Sequence, residues 1–322
     1  MKRRPKYKIF TYGCQMNRSD SERISGLLDE IGFKPVDKVE SADLILINTC
    51  SVRQTAEDRV YGQMKNFLKL KKKKSHLLIG ITGCMAGRDK SGELRKKVPF
   101  VDLFFGIADL LKLPEMIFEK WKDIFPAVIA RSGATKQSRG IATASGLAMT
   151  DYLGIKPKPA EWWRGWLVIQ TGCSRYCTYC VVPYARGHEK NRPMGEIIKE
   201  ARKMAKSGVK EITLLGQAVN GHPQFAEILE KINKIDIINR VSFASAHPMH
   251  MTDKVIKALK LPKMANYIHL PAQSGNNEIL KKMNRNYTRE EYLKIIRKIK
   301  KARPSISLAT DIIVGFPGET KK

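Results

Sequence analysis

Over its first 110 positions the chain alternates short apolar runs with longer stretches in which apolar residues recur every three or four places. The segments YKIFTY (7–12), ADLILIN (42–48), HLLIGIT (76–82) and VDLFFG (101–106) read as strands, the second and third buried on both faces. Between them, SDSERISGLLDEIG (19–32) has capping-box spacing at Ser19 and Glu22, helical apolar spacing and a terminating Gly32. AEDRVYGQMKNFLKL (56–70) reads as a second helix. Continuous apolar strands separated by helices predict an open parallel sheet covered on both faces, of the Rossmann or flavodoxin-like type.

From residue 131 to 160 the periodicity disappears into a Ser-, Gly-, Thr-, Lys- and Pro-rich stretch that reads as a linker between domain 1–130 and domain 161–322. Alternation then resumes. The strands WLVIQT (166–171), EITLLG (211–216), RVSFAS (240–245), YIHLP (267–271) and SLATDIIVGF (307–316) are separated by helices expected at 194–207, 225–235, 252–261, 277–283 and 289–302. Five strands with helical crossovers predict a (β/α) barrel. The sequence ends at PGETKK directly after the fifth strand, so the expected barrel is truncated there.

Cysteine placement adds chemistry to this layout. Cys14 follows KIFTYG, Cys50 follows LILINT and Cys84 follows LIGITG, each just beyond the carboxyl end of a predicted strand. In an open α/β sheet those ends share the edge where ligands bind, so three residues distant in sequence converge on one site. Inert core thiols are the plainer alternative. The other three cysteines are clustered as Cys173-x-x-x-Cys177-x-x-Cys180 at the top of the first barrel strand, where barrel active sites form. Three thiolates hold three irons of a 4Fe-4S cluster and leave the fourth iron open to a substrate or cofactor. A zinc site completed by His188 is the alternative, and three plus His is formally a closed shell. Tyr179 can lie against a bound purine or simply pack.

Charge bears on the partner. The chain carries 59 Lys and Arg against 31 Asp and Glu, a net +28. Both parts share it: 28 basic and 16 acidic side chains in residues 1–150 leave +12, and 31 and 15 in 151–322 leave +16. Such a charge attracts polyanions, nucleic acid above all, although some runs, KLKKKK (69–74) among them, read as a basic helix end or loop. No run approaches the roughly 20 apolar residues of a membrane helix, and the N-terminal apolar run is too short for a signal peptide. A cytoplasmic protein without disulfides is the expectation.

The barrel motif resembles that of the radical S-adenosylmethionine superfamily. Together with YGCQMNRSDSE, NTCSVRQTAEDRVYG and GCMAG, it resembles the methylthiotransferase family within it. CTYCVVPYARG, SAHP and HLPAQSGNNEILKKMNRNYTREEY are similar to the branch acting on isopentenylated adenosine in tRNA. This resemblance implies two 4Fe-4S clusters, one on Cys14, Cys50 and Cys84 and one on Cys173, Cys177 and Cys180. It also implies S-adenosylmethionine as methyl donor and radical source, with the methylthio group placed on carbon 2 of the adenosine 3′ of the anticodon. The implied partners are a tRNA anticodon stem-loop and an electron donor such as flavodoxin or ferredoxin, with the enzyme a monomer. Gln273, Ser274 and Gly315 would lie around the cofactor's ribose and adenine, or be turn and strand-end residues. Arg186 could meet a carboxylate or phosphate of substrate.

His247 and His269 beside strand ends are site walls or satisfied core histidines. Trp162, Trp163 and Trp166 stack on RNA or pack. Ala218 stands where the branch usually has Asn. The resemblance also implies a sixth strand and a small RNA-binding TRAM domain that this sequence lacks, so weakened tRNA affinity is expected. Two rival readings are methylthiolation of threonylcarbamoyl-adenosine and a non-catalytic, zinc-stabilised nucleic-acid-binding fragment.

Overall fold

The computed structural model describes residues 3–51, 54–122 and 152–320, the side chains of 54–57 excepted. They form two compact units, Met1–Ala160 with Tyr184–Arg186, and Glu161–Pro183 with Gly187–Lys322.

In the first unit, β1 (Lys6–Tyr12), β2 (Lys34–Pro35), β3 (Leu44–Thr49), β4 (Leu78–Gly83) and β5 (Leu103–Phe105) make one parallel sheet in the order β2-β1-β3-β4-β5. Every residue of β3 and β4 is buried, which is why both read as unbroken apolar runs. Ile45, Ile47, Ile79 and Ile81 pack with Val60, Met64 and Phe67 of the helix Gln54–Lys73. The edge strand β2 is only two exposed residues long and was not foreseen. Lys71, in that helix's last turn, contacts the Asp102 carboxylate, and Lys74 Nζ donates to the Ala42 carbonyl at 2.6 Å. Part of the basic run 69–74 is thus structural rather than free surface.

The first helix starts earlier than its capping-box spacing suggests. It spans Gln15–Glu30 with Cys14 as N-cap, and the Cys14 amide donates to Asn17 Oδ1 at 3.3 Å. Ser19 and Glu22 lie inside it, both buried. Gly32 ends it at φ +91°, as expected. Residues 131–151 of the expected linker lie outside the described residues, but 152–160 fold onto this helix. Arg23 donates to the carbonyls of Leu153 (2.8 Å) and Ile155 (2.6 Å), and the Ala160 amide donates to Glu22 Oε1 at 3.0 Å. A Cβ on Gly26 would lie 2.0 Å from the Lys156 carbonyl oxygen, so this close approach needs glycine.

In the second unit, β6 (Arg164–Val168), β9 (Glu211–Leu215) and β10 (Arg240–Phe243) form a parallel sheet. β11 (Tyr267–His269) pairs with β12 (Ser307–Ala309), also in parallel. A bridge from Val241 to Met264 links β10 to the segment entering β11. Five parallel strands in sequence order, with helices such as Met194–Lys206, Phe225–Asn233 and Arg289–Ala302 between them, make an open (β/α) barrel. Its core joins Leu167, Ile212, Leu214, Val241 and Ile268 to Ile197, Ile228 and Ile299 of those helices. All five strands end before the expected residue, the first and the fifth by the most. The first ends at Val168, and Gln170–Thr171 (β7) turns away to pair antiparallel with Lys190–Asn191 (β8). The fifth is regular only through Ala309; beyond it a single bridge joins Gln273 to Ile312, and Val314 is 86% exposed.

Candidate metal centres

In the first unit, strand register brings the three cysteines to one edge. Tyr12 pairs with Thr49 and Thr49 with Gly83, and Cys14, Cys50 and Cys84 follow those residues by one or two positions. Neighbouring strands lie about 4.8 Å apart, so the three thiols span roughly 10 Å of sheet edge. Gly83, at φ +91°, has no room for a Cβ: Asn48 Oδ1 would be 2.4 Å away. Beneath the cysteines, Asn17 Nδ2 donates to Asn48 Oδ1 at 3.0 Å and Asn48 Nδ2 to the Asn17 carbonyl at 2.7 Å. This buried pair fixes the strand end to the helix that Cys14 caps.

Arg186 belongs to this unit. Its guanidinium donates to Cys84 Sγ at 3.2 Å and to Asp20 Oδ2 at 2.6 Å, with both side chains almost wholly buried. Sequence reasoning offers Arg186 to substrate; the structure engages it with protein groups. Burial pushes the Cys84 thiol up despite the Arg186 charge that draws it down, with Cys50 adding to the rise. A thiol so held binds metal with release of its proton.

The barrel cysteines sit in a loop tied down on both sides. Gly172, at φ +66°, lets the Cys173 amide donate to the Gly187 carbonyl at 3.0 Å. The Thr178 amide donates to the Met283 carbonyl at 3.2 Å and its hydroxyl to that of Lys282 at 3.0 Å, anchoring the loop to the end of the helix Asn277–Lys282. Asn284 Nδ2 donates to the carbonyls of Arg175 and Tyr176 at 3.1 and 3.0 Å. Tyr176, Ser245, Gln273 and Asn284 are the non-glycine residues at positive φ among the described residues, and all belong to this unit's connecting segments. Strain of this kind concentrates where a site must be held open.

Sequence reasoning missed Arg285. Buried, it donates to Cys177 Sγ at 3.4 Å and to the Tyr287 hydroxyl at 3.0 Å, while that hydroxyl donates to the Ala272 carbonyl at 2.9 Å. No local signal marks it, because 108 residues separate it from the cysteine it touches. Burial raises the thiols of Cys173 and Cys180, and each feels the charge of Cys177. Tyr179, beside Arg285 and Cys177, has its phenol pushed up by burial.

His247 is a walled-in neutral base: its Nδ1 accepts from the Met249 amide at 3.3 Å. Burial, then the charges of Arg285, His250 and Arg175, push it down to about 3, and His250 falls to about 4 through burial and Arg175. Buried Ser274 accepts the Asn276 amide at 3.2 Å, and Gly315, at φ +75°, donates to Glu319 Oε2 at 2.5 Å. His269 pairs with Asp311 at 3.2 Å. The rings of Trp163 and Trp166 flank the Arg164 guanidinium at 4.3 and 5.5 Å, whereas Trp162 is 74% exposed. Ala218 is buried, its amide donating to Gln170 Oε1 at 3.1 Å.

The donor sets suit clusters rather than a single ion. Among the described residues no three Cys, His, Asp or Glu side chains close around one point as a single ion requires. Thiolates that each bind a different iron stand further apart. His188, the fourth ligand a zinc would need, has its Nδ1 at 3.1 Å from the Tyr176 hydroxyl.

Two family models match: the Radical SAM superfamily over residues 167–322, and Uncharacterized protein family UPF0004 over residues 6–106. The chain is 42% identical to the tRNA-2-methylthio-N(6)-dimethylallyladenosine synthase of Carboxydothermus hydrogenoformans, covering 98% of this chain and 71% of that protein. It is 43% identical to the protein of the same name in Dictyoglomus thermophilum, over 99% and 70%. Among solved structures it resembles the radical S-adenosylmethionine methyltransferase TsrM from Kitasatospora setae, with TM-score 0.65, 12% identity and coverage of 98% and 68%. It also resembles the cobalamin-dependent S-adenosylmethionine radical enzyme OxsB, with TM-score 0.56 and 12% identity over 96% and 49%. At such identities the likeness is one of fold.

Proposed function

The chain belongs to the radical S-adenosylmethionine family of tRNA-2-methylthio-N(6)-dimethylallyladenosine synthases, and we propose that it adds a methylthio group to carbon 2 of the isopentenylated adenosine beside the tRNA anticodon. The observation that carries this reading is the doubled three-thiol arrangement: Cys14, Cys50 and Cys84 at the carboxyl edge of one parallel sheet, Cys173, Cys177 and Cys180 above the first strand of a barrel. Each set leaves one position of a 4Fe-4S cluster for an exogenous ligand.

When bound, the barrel cluster supplies the electron for reductive cleavage of S-adenosylmethionine, and the other cluster holds the sulfur to be transferred. The protein's own residues position and insulate. Gly172, Thr178 and Asn284 fix the barrel cysteine loop, and Arg285 places a guanidinium on Cys177. Tyr179, Gln273, Ser274 and Gly315 form the cofactor's wall in this proposal, the positive φ of Gln273 and Gly315 aiming the strand ends that carry them. Neutral His247 and His250 line the same unit without competing for its anions. Arg186 serves the first cysteine set, on Cys84 and Asp20. The electron comes from a low-potential donor of the flavodoxin or ferredoxin class. Among the described residues no helix is long and apolar enough to cross a membrane, and a tRNA substrate implies a cytoplasmic setting.

Two measurements test this. Anaerobically reconstituted protein should carry about eight irons, falling to about four when Cys173, Cys177 and Cys180 are all replaced by Ala. Mass spectrometry of tRNA nucleosides from a deletion strain expressing this chain should show the 2-methylthio-isopentenyl product. Restoration of a methylthiolated threonylcarbamoyl-adenosine instead would refute the substrate, and zinc in place of iron would refute the chemistry.

A further inference from the structure

Each cysteine set has one buried guanidinium on a sulfur, but the two differ in charge. Arg186, on Cys84, is paired with Asp20 at 2.6 Å, and among the described residues Asp20 Oδ1 has no hydrogen-bond partner, so the carboxylate's charge is set against that of Arg186. Arg285, on Cys177, has the hydroxyl of Tyr287 as its other partner; among the described residues no carboxylate forms an ion pair with it. A neutral pair therefore faces one set and a net positive charge the other. Net charge and hydrogen bonds to sulfur are two of the determinants of an iron–sulfur reduction potential. A positive charge beside a cluster favours the reduced, more negative form, and burial keeps solvent from screening it.

We propose that Arg285 is a potential-setting residue: uncompensated, it makes the barrel cluster easier to reduce, while Asp20 cancels the same effect of Arg186 on the N-terminal cluster. The inference rests on the two-cluster reading above. Each cluster takes up one electron, and no bond to cysteine changes.

The test is a potentiometric titration of the reconstituted full chain, with dithionite as reductant and mediators, followed by electron paramagnetic resonance. The two signals are assigned with the Cys14/Cys50/Cys84→Ala and Cys173/Cys177/Cys180→Ala variants. Arg285→Gln should disfavour reduction of the barrel cluster roughly tenfold, about 59 mV for one electron, and Arg285→Lys should restore most of it. Asp20→Asn should shift the N-terminal cluster the opposite way by a similar factor, and the Asp20→Asn/Arg186→Gln pair should return it to near the wild-type value. Full iron content with unmoved potentials in Arg285→Gln and Asp20→Asn overturns the inference alone. So does loss of the barrel cluster in both Arg285→Gln and Arg285→Lys, which would make the residue structural. Fewer than two clusters in the wild type overturns the parent reading, and this inference falls with it.

Discussion

Gly172 precedes the first barrel cysteine at φ +66°, and a Cβ there would lie 2.0 Å from the His188 carbonyl oxygen. Ala would meet both the left-handed penalty and a backbone clash, a cost of about 1–3 kcal/mol from strain alone. Gly172→Ala should therefore lose the barrel iron while keeping that on Cys14, Cys50 and Cys84; full iron content in the variant would refute this. A second prediction concerns His247, which faces His250, Arg175, Arg285 and the Tyr287 ring. Its folded pKa, about 3, lies below the ordinary 6.5, so folding favours the neutral ring. Its contribution to stability is complete above pH 6.5 and is lost as pH falls towards 3. Urea midpoints of His247→Asn should fall less steeply between pH 6.5 and 4 than those of the wild type; parallel slopes would sink the assignment. The cysteines were legible because their spacing and strand-end positions carry chemistry on their face. Arg285 was not, and His247 was singled out with its role left open, because what decides both is a contact made by the fold.

Elements read from the sequence were right where one physical rule governed them. The helix Arg289–Ala302 has the bounds expected for it, and the structure shows a capping box at its start: the Glu291 amide donates to Thr288 Oγ1 at 3.2 Å, and the Thr288 amide to Glu291 Oε2 at 2.8 Å. The same spacing at Ser19 and Glu22 misled, since those residues are buried inside a helix that Cys14 begins. A capping box marks a start only if the preceding turn is not itself helical, and here the sheet edge draws the helix back to the cysteine. Thr288→Ala should cost about 1 kcal/mol in chemical denaturation, without altering iron content. An unchanged midpoint would show that the box contributes little to this helix.

At the scale of the whole molecule, alternation of apolar strands and amphipathic helices carried both halves of the fold, because parallel sheets buried on two faces leave so plain a pattern. It could not show that residues 152–160 bind the first helix, since Leu153 and Ile155 are held through backbone carbonyls that any sequence supplies. Charge is the property left to the whole chain. Of the net +28, pairs such as Lys71 with Asp102, Arg192 with Glu200 and Arg164 with Glu211 take some cations out of play, but pairing removes equal numbers of each sign and the excess stands. If that excess serves tRNA, binding must release counterions. Some six phosphate contacts at about 0.7 ions each give a slope near −4 in log K against log salt. Fluorescence anisotropy with a labelled anticodon stem-loop, from 50 to 200 mM KCl, should then show affinity falling by roughly two to three orders of magnitude. If S-adenosylmethionine is held as proposed, by a cluster and a wall rather than by surface lysines, it should bind with little salt dependence over the same range. A nearly flat response for the stem-loop would mean that the positive charge serves solvation instead, and that RNA is recognised through shape and base stacking.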